Sequence, residues 1–220
     1  MRDYIKNPAE IEAQSFQLIR AVTDFSGFDE TQQQIVMRLV HTCGNPEIAR
    51  QVRISSVAID SGINALNQDC NVLCDVEMVK QGLIKGMPKR ELTRDPLCFL
   101  NHHKTAARAA ATGETRTMSA LALWKPYLEN SIAIIGNAPT ALFRLMEMLE
   151  SGHGKPALVI GMPVGFVGAP EAKNYLWEHH RELGVECITL AGRVGGSALA
   201  AAAFNTLVIL KNDLRLQPTS

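Results

Sequence analysis

The last third of the 220-residue chain repeats one pattern three times: a short apolar run, a glycine-rich turn, and a segment with helical periodicity. We predict strands over the three apolar runs, at Ser131–Ile135, Ala157–Ile160 and Cys187–Leu190. A buried strand that is followed each time by a glycine turn and a helix is typical of a parallel sheet covered on both faces. The sequence therefore predicts one three-layer α/β domain over residues 1–220, with a mostly parallel sheet.

Two further helices are predicted ahead of the sheet. The first begins at Asn7-Pro8, and the second extends from an Asp29 N-cap to Gly44 and Pro46, which are typical helix terminators. In the first helix, an apolar stripe at helical spacing is predicted to be buried, and it consists of Ile11, Leu18, Ile19 and Val22. Ser15 lies on the same stripe, where its hydroxyl either bonds back to its own helix or serves a ligand. These N-terminal helices are expected to lean out from the domain as a lid or a dimer arm.

The composition excludes several classes of partner. Lys plus Arg and Asp plus Glu number 22 each, so no net field attracts the chain to nucleic acid or to a membrane surface. No apolar run approaches the roughly 20 residues of a membrane span, and the first residues lack the apolar core of a signal peptide, so we expect a cytoplasmic protein. The five cysteines lack zinc-site spacing; we expect reduced, mostly buried thiols and predict no metal.

The three glycine turns fall where ligands of open parallel sheets bind, beyond the carboxyl ends of the strands. Free backbone N–H groups and the positive end of each following helix favour anions there. Asn137 in the first turn, and Arg193 and Ser197 in the third, add polar side chains. One such turn needs no ligand, since glycine serves tight turns in any fold, but three convergent turns favour a ligand with several anionic groups. None of them matches a dinucleotide or P-loop motif.

His41 is the strongest candidate for acid–base chemistry. It lies at the C-terminal end of the second helix, where the helix dipole stabilises the imidazolium form. Arg38 lies three residues earlier on the same face, where it would hold a carboxylate beside the acid. A protonated histidine suits general acid catalysis, but a histidine in this position can equally cap its helix. Position alone leaves both roles open.

Other polar residues lie at predicted helix or strand ends. Arg116 at a helix start opposes the helix dipole, which a bound anion would relieve. Glu77 is either a buried carboxylate that bonds a loop or a second acid–base group. His102 and His103 follow a predicted strand at Pro96–Leu100 and could reach a ligand. The sequence leaves the roles of Glu77 and of the two histidines open.

Six motifs, in order along nearly the whole chain, resemble those of the precorrin-8X methylmutase family of cobalamin biosynthesis, including its cobalt-precorrin-8 branch. They are Val40–Gly44, Asp75–Val79, Thr115–Thr117, Gly136–Leu142, Ile160–Ala169 and Gly192–Ser197. A single glycine turn is weak evidence, whereas the ordered set is highly specific. Thr42-Cys43 and Thr117-Met118 depart from the family pattern, which affects the local shape of the pocket but removes no catalytic group.

The resemblance implies a homodimer of Rossmann-like subunits and an isomerase that uses no added cofactor. Its reaction would move a methyl group from C11 to C12 of a corrin-type tetrapyrrole, giving hydrogenobyrinate from precorrin-8X or cobyrinate from cobalt-precorrin-8. The family's catalytic histidine corresponds to His41, and two of its substrate contacts correspond to Ser15 and Arg38. Motif membership and anion chemistry assign four more residues to the carboxylates of the substrate: Arg116, Asn137, Arg193 and Ser197.

Two other functions remain open from the sequence. A Rossmann-type oxidoreductase would bind a nicotinamide or flavin cofactor. A non-catalytic tetrapyrrole carrier would bind a corrinoid without forming the product isomer. The sequence also leaves open whether the natural substrate carries cobalt, and whether the product passes directly to the next enzyme.

Overall fold

The centre of the fold is a six-stranded mixed sheet, seen in a computed structural model that describes residues 4–83 and 92–212. Its strands are β1 (Val52–Ile54), β2 (Val72–Cys74), β3 (Leu97–Cys98), β4 (Ile132–Ile135), β5 (Leu158–Gly161) and β6 (Glu186–Leu190). Their order across the sheet is β1-β6-β5-β4-β2-β3. Only β1 runs antiparallel to its neighbour, β6, so the prediction of a mostly parallel sheet is confirmed.

Helices cover this sheet on both sides. Those of the described residues are α1 (Pro8–Val22), α2 (Glu30–Cys43), α3 (Ala58–Asn67), α4 (Glu77–Gly82), α5 (His103–Thr112), α6 (Arg116–Leu121), α7 (Pro139–Glu150), α8 (Ala169–Leu183) and α9 (Ser197–Lys211). Short 3-10 helices lie at Pro46–Gln51 and Ala122–Tyr127.

Two separate apolar cores hold the three layers together. Successive strand residues point to opposite faces of a sheet, and β4 shows the consequence clearly. Ile132 and Ile134 join the core formed with α2, α3, α4 and α9, while Ala133 and Ile135 join the core formed with α6, α7 and α8. The predicted three-layer α/β arrangement is confirmed.

The ends of the first two helices follow their capping residues. The Asn7 side chain accepts hydrogen bonds from the backbone N–H groups of Ala9 and Glu10. Asp29 and Gln32 form a reciprocal capping box at the start of α2. Gly44, in the left-handed conformation with φ of 65°, ends α2 just after His41.

The predicted burial of the apolar stripe of α1 is wrong for three of its four residues in the single chain, whereas Ile19 is half-buried and packs against the first core. Ile11, Leu18 and Val22 are 44%, 60% and 64% exposed, whereas Phe16 on another side of the helix is fully buried. Helical periodicity identifies an apolar face without saying what covers it. The expectation that both N-terminal helices lean out is also wrong for α2, which packs against α9 within the first core.

Several elements differ from the sequence prediction or were missed by it. The edge strand β1, helix α3 and the 3-10 helix between α2 and β1 were not predicted. The helix predicted to begin at Arg116 is α6, which ends at Leu121, and a 3-10 helix follows. Pro126 lacks the N–H group that a continuing α-helix would need at that point.

Candidate active site

The imidazole of His41 is exposed and lies in the last turn of α2. Its ring contacts the ring of Phe16, with the two centroids 5.3 Å apart. The guanidinium of Arg38 lies over the same Phe16 ring, 4.9 Å from its centroid, in a cation–π arrangement. Phe16 therefore fixes the positions of both polar side chains, a role that the sequence reasoning missed.

Two adjoining hollows share His41. One is a cleft of about 510 Å³ between α1, α2, α4 and α9, and Arg38 lies on its wall. The other has a volume of about 400 Å³ and is lined by Ser15 together with apolar residues of the exposed α1 stripe. Ser15 has no hydrogen-bond partner among the described residues, so the alternative that it bonds back to its own helix is wrong. The structure thus brings Ser15, Arg38 and His41 together.

Arg38 already holds a carboxylate in this structure, namely that of Glu12. The Arg38 Nη2 atom lies 3.1 Å from Glu12 Oε1, and the Glu12 side chain is 52% exposed. The Arg38 Nε atom is buried and lacks a hydrogen-bond partner among the described residues. No sequence signal pairs these two residues, because they lie on different helices.

The three glycine turns converge at the carboxyl edge of the sheet, as predicted. The backbone N–H of Gly196 donates to the Met162 carbonyl at 2.8 Å, which joins the third turn to the second. A side chain at Gly136 would place its Cβ only 2.9 Å from the Cα of Ser197, so the first and third turns also touch. Ser197 begins α9, and the next residue, Ala198, lines the His41 cleft. The edge of the sheet and the cleft therefore adjoin.

The prediction that the N–H groups of the Gly136 turn are free for an anionic ligand is wrong. The fully buried carboxylate of Asp75 accepts hydrogen bonds from Gly136 N at 3.0 Å, Asn137 N at 2.9 Å and Ala138 N at 3.1 Å. Burial raises the pKa of Asp75, and these N–H donors oppose that shift. The anion that the turn was expected to bind is a side chain from the end of the neighbouring strand β2.

Of the four looser site assignments, three residues are exposed and Ser197 alone is buried. Asn137 and Arg193 are exposed at the carboxyl edge, and the Arg193 guanidinium lies 5.1 Å from the centroid of the Phe166 ring. Ser197 is only 6% exposed. Arg116 has no anion beside it among the described residues, and its Nη2 donates to Leu100 O and Asn101 Oδ1 at 3.1 Å each.

The residues with open roles serve the structure in this state. His102 caps α5, with its Nδ1 accepting from Lys104 N at 3.2 Å, and His103 lies against the His102 ring. Glu77 begins α4 and is half-buried. Burial raises the pKa of the Cys98 thiol to about 12, and the nearby Glu77 carboxylate adds to that shift. Neither hollow around His41 is lined by any of these residues.

Within the described ranges, no group of three or more His, Cys, Asp or Glu side chains could hold a metal ion.

Comparison with known proteins decides between the open functions. A model of the precorrin-8X methylmutase family matches residues 10–210. The chain belongs to the precorrin-8X methylmutase family. A precorrin-8X methylmutase of Sinorhizobium sp. is 44% identical, with 93% of this chain and 96% of that protein covered. The precorrin-8X methylmutase of Pseudomonas aeruginosa is 42% identical, with 94% of this chain and 98% of that protein covered. A cobalt-precorrin-8 methylmutase of Methanocaldococcus jannaschii is 33% identical, with 82% of this chain and 80% of that protein covered.

The solved structures agree with this assignment. The crystal structure of precorrin-8X methylmutase from Thermus thermophilus superposes with a TM-score of 0.82 at 36% identity, and covers 93% of this chain and 96% of that one. The methylmutase is therefore an isomerase of cobalamin biosynthesis that moves a methyl group within the macrocycle. No comparison favours the oxidoreductase or carrier alternatives. No helix in the described part of the chain is long and apolar enough to cross a membrane.

Proposed function

We propose that this methylmutase acts on metal-free precorrin-8X, and that His41 is its acid catalyst for the shift of the methyl group from C11 to C12. The observation that carries the proposal is the exposed His41 imidazole, which opens onto two hollows with Arg38 and Ser15 beside it. Hydrogenobyrinate is the product. No added cofactor takes part.

His41 acts as an imidazolium. It protonates or hydrogen-bonds the conjugated ring system, which lowers the barrier to a [1,5]-sigmatropic migration of the methyl group. Because the reaction is an isomerisation, the proton returns to His41 when the product forms. Such a contact typically contributes about 10²–10⁴-fold in rate, and the remainder comes from holding the ring in a reactive geometry. Phe16 supports this role because its buried ring limits the positions that the imidazole can take.

The acetate and propionate groups of the substrate are bound around the cleft. Arg38 exchanges Glu12 for a substrate carboxylate, and Ser15 donates its hydroxyl from the adjoining hollow. Exposed Asn137 and Arg193 bind carboxylates at the edge of the sheet. Arg116 exchanges its two neutral acceptors, Leu100 O and Asn101 Oδ1, for a substrate carboxylate, because a hydrogen bond to a charged acceptor is stronger. Ser197 is the least accessible of the proposed contacts and lies where α9 meets the Gly136 turn.

The metal-free substrate is proposed because the chain is more similar to relatives named for precorrin-8X than to those named for cobalt-precorrin-8. Proteins named precorrin-8X methylmutase match at 44% and 42% identity over more than nine-tenths of the chain. Those named cobalt-precorrin-8 methylmutase match at 32–34% over comparable lengths, or at 40% over 70% of the chain.

We also propose a homodimer located in the cytoplasm. The exposed apolar stripe of α1 supports the dimer, because Leu18 and Val22 border the hollow that Ser15 and His41 share. A second subunit packed there would cover the stripe and help to enclose the substrate. The cytoplasmic location is supported by the five cysteines, which are all free thiols.

The proposal is tested by giving the purified protein metal-free precorrin-8X and its cobalt complex in parallel assays. We expect hydrogenobyrinate from the metal-free substrate, with a kcat/KM at least about tenfold above that for the cobalt complex. Faster conversion of the cobalt complex would contradict the proposed substrate. Tight corrinoid binding without either product would indicate a carrier, and saturable binding of NADH or flavin would favour an oxidoreductase.

A further inference from the structure

Lys173, in the second turn of α8, is a fully buried cation that no carboxylate of the described residues contacts. Its side chain has no exposed surface and is among the largest buried side chains of the described residues. Its Nζ donates to the backbone carbonyl of Val194 at 2.6 Å. None of the ion pairs formed by the described residues includes Lys173.

This arrangement is unfavourable for the fold alone. Burial lowers the pKa of Lys173 to about 8, which reflects the cost of keeping its charge away from water. Side chains of an α-helix tilt toward its N-terminus, the positive end of the helix dipole, so α8 adds to that cost. An apolar side chain of similar volume would fill the same space without either penalty. A bound anion close to this part of the fold would offset both costs.

The hydrogen bond of Lys173 is made to the Arg193 loop, which we define as residues 192–196. Val194 follows Arg193, whose own backbone carbonyl accepts from Gly165 N at 3.2 Å. The loop is also closely packed, since a Cβ at Gly195 would lie 2.5 Å from the carbonyl oxygens of Met162 and Pro163. Lys173 thus fixes the loop from its buried side, and the Arg193 side chain lies exposed on the other side.

We propose that Lys173 is a positioning residue for substrate binding, which holds the Arg193 loop through the Val194 carbonyl and whose unpaired charge is balanced by the carboxylates of the bound corrinoid. This inference rests on the proposed function. The ligand acts from outside the loop, so Lys173 need not touch it. A buried charge that does not touch the ligand contributes to affinity but not to the chemical step, because the carboxylates do not change during the methyl shift.

The test uses Lys173→Met, which keeps the volume and removes the charge. Its Kd for hydrogenobyrinate and its KM for precorrin-8X are expected to rise about tenfold, with kcat within about twofold of wild type. The fully amidated corrinoid, which lacks carboxylates, should bind both proteins equally. The midpoint of urea unfolding for Lys173→Met should equal or exceed that of wild type. In the double variant with Arg193→Met, the additional loss from Lys173→Met should be smaller than in the wild-type background.

Lys211→Met is the matched control, because Lys211 also donates its Nζ to a backbone carbonyl, that of Leu66, and lies outside both hollows around His41. It should bind hydrogenobyrinate like wild type. The inference is overturned by an unchanged Kd in Lys173→Met, by an equal loss for the amidated corrinoid, by a lower unfolding midpoint, or by full additivity with Arg193→Met. A wild-type protein that neither binds nor converts the corrinoids would instead contradict the proposed function.

Discussion

Arg38 and Glu12 form an ion pair on the wall of the His41 cleft, and this pair bears on how a polyanionic substrate binds. The carboxylate of Glu12 pairs with the Arg38 guanidinium, which we propose as a substrate contact, and it also repels a ligand rich in carboxylates. Since Glu12 is 52% exposed, separating the pair costs little, about 0.2–1 kcal/mol. If Arg38 binds the substrate as proposed, Glu12 competes with it for the guanidinium.

Replacing Glu12 with Gln should tighten binding. We expect the Kd for hydrogenobyrinate and the KM for precorrin-8X to fall about three- to fivefold, because the competing charge is removed, while kcat changes less than about twofold. Titration of the coloured corrinoid and steady-state kinetics measure both quantities. Glu10→Gln is the control, since Glu10 is exposed on the same helix and does not line the cleft. Weaker binding by Glu12→Gln would show that Glu12 assists substrate binding.

Asp75 shows the limit of residue-level reasoning from the sequence. Glycine turns with free N–H groups indicate an anion, and an anion is bound at the Gly136 turn, but it is the protein's own carboxylate. Asp75 and Gly136 are 61 residues apart in the chain, and they meet only because β2 and β4 are neighbours in the sheet. His41 and Arg38 could be predicted to lie side by side because their spacing on one helix is a local property.

At the scale of elements, one face of α1 packs against α2 and another face is exposed. Phe16 anchors α1 against α2, whereas Ile11, Leu18 and Val22 are between 44% and 64% exposed. Periodicity predicted the helix and its apolar stripe, but burial depends on partners that one sequence does not specify. A different limit explains why β1 was missed, because an edge strand of three residues has too short a pattern to recognise.

The proposed dimer is tested by placing a charge on the α1 stripe. Leu18→Glu should weaken dimerisation at least about 100-fold, because a carboxylate would be buried against an apolar surface. Sedimentation velocity across a concentration series measures this change. Gln17→Glu is the matched control, since Gln17 is exposed beside the stripe and should leave the dimer intact. A wild-type protein that sediments as a monomer, or a Leu18→Glu protein that remains dimeric, would contradict the assignment of this face.

At the scale of the whole molecule, the parallel sheet explains why motifs that are distant in the sequence lie close together. The turns after β4, β5 and β6 meet at one edge, and α9 leads from that edge into the His41 cleft. Strand–turn–helix repeats made this topology predictable, since parallel strands bring their carboxyl ends together. The layering of α2 on α9 could not be predicted, because it depends on the packing of two apolar faces far apart in sequence.

The most direct test of the account follows the methyl group itself in a single turnover. Precorrin-8X labelled with ¹³C in its C11 methyl group is mixed with excess enzyme, and the label is followed by NMR. Wild type should move the label to C12, and His41→Ala should slow this step about 10²–10⁴-fold. His153→Ala, which removes an exposed histidine on the opposite side of the sheet, should react at the wild-type rate. A His41→Ala protein that moves the label as fast as wild type would contradict the assignment of His41 as the acid catalyst.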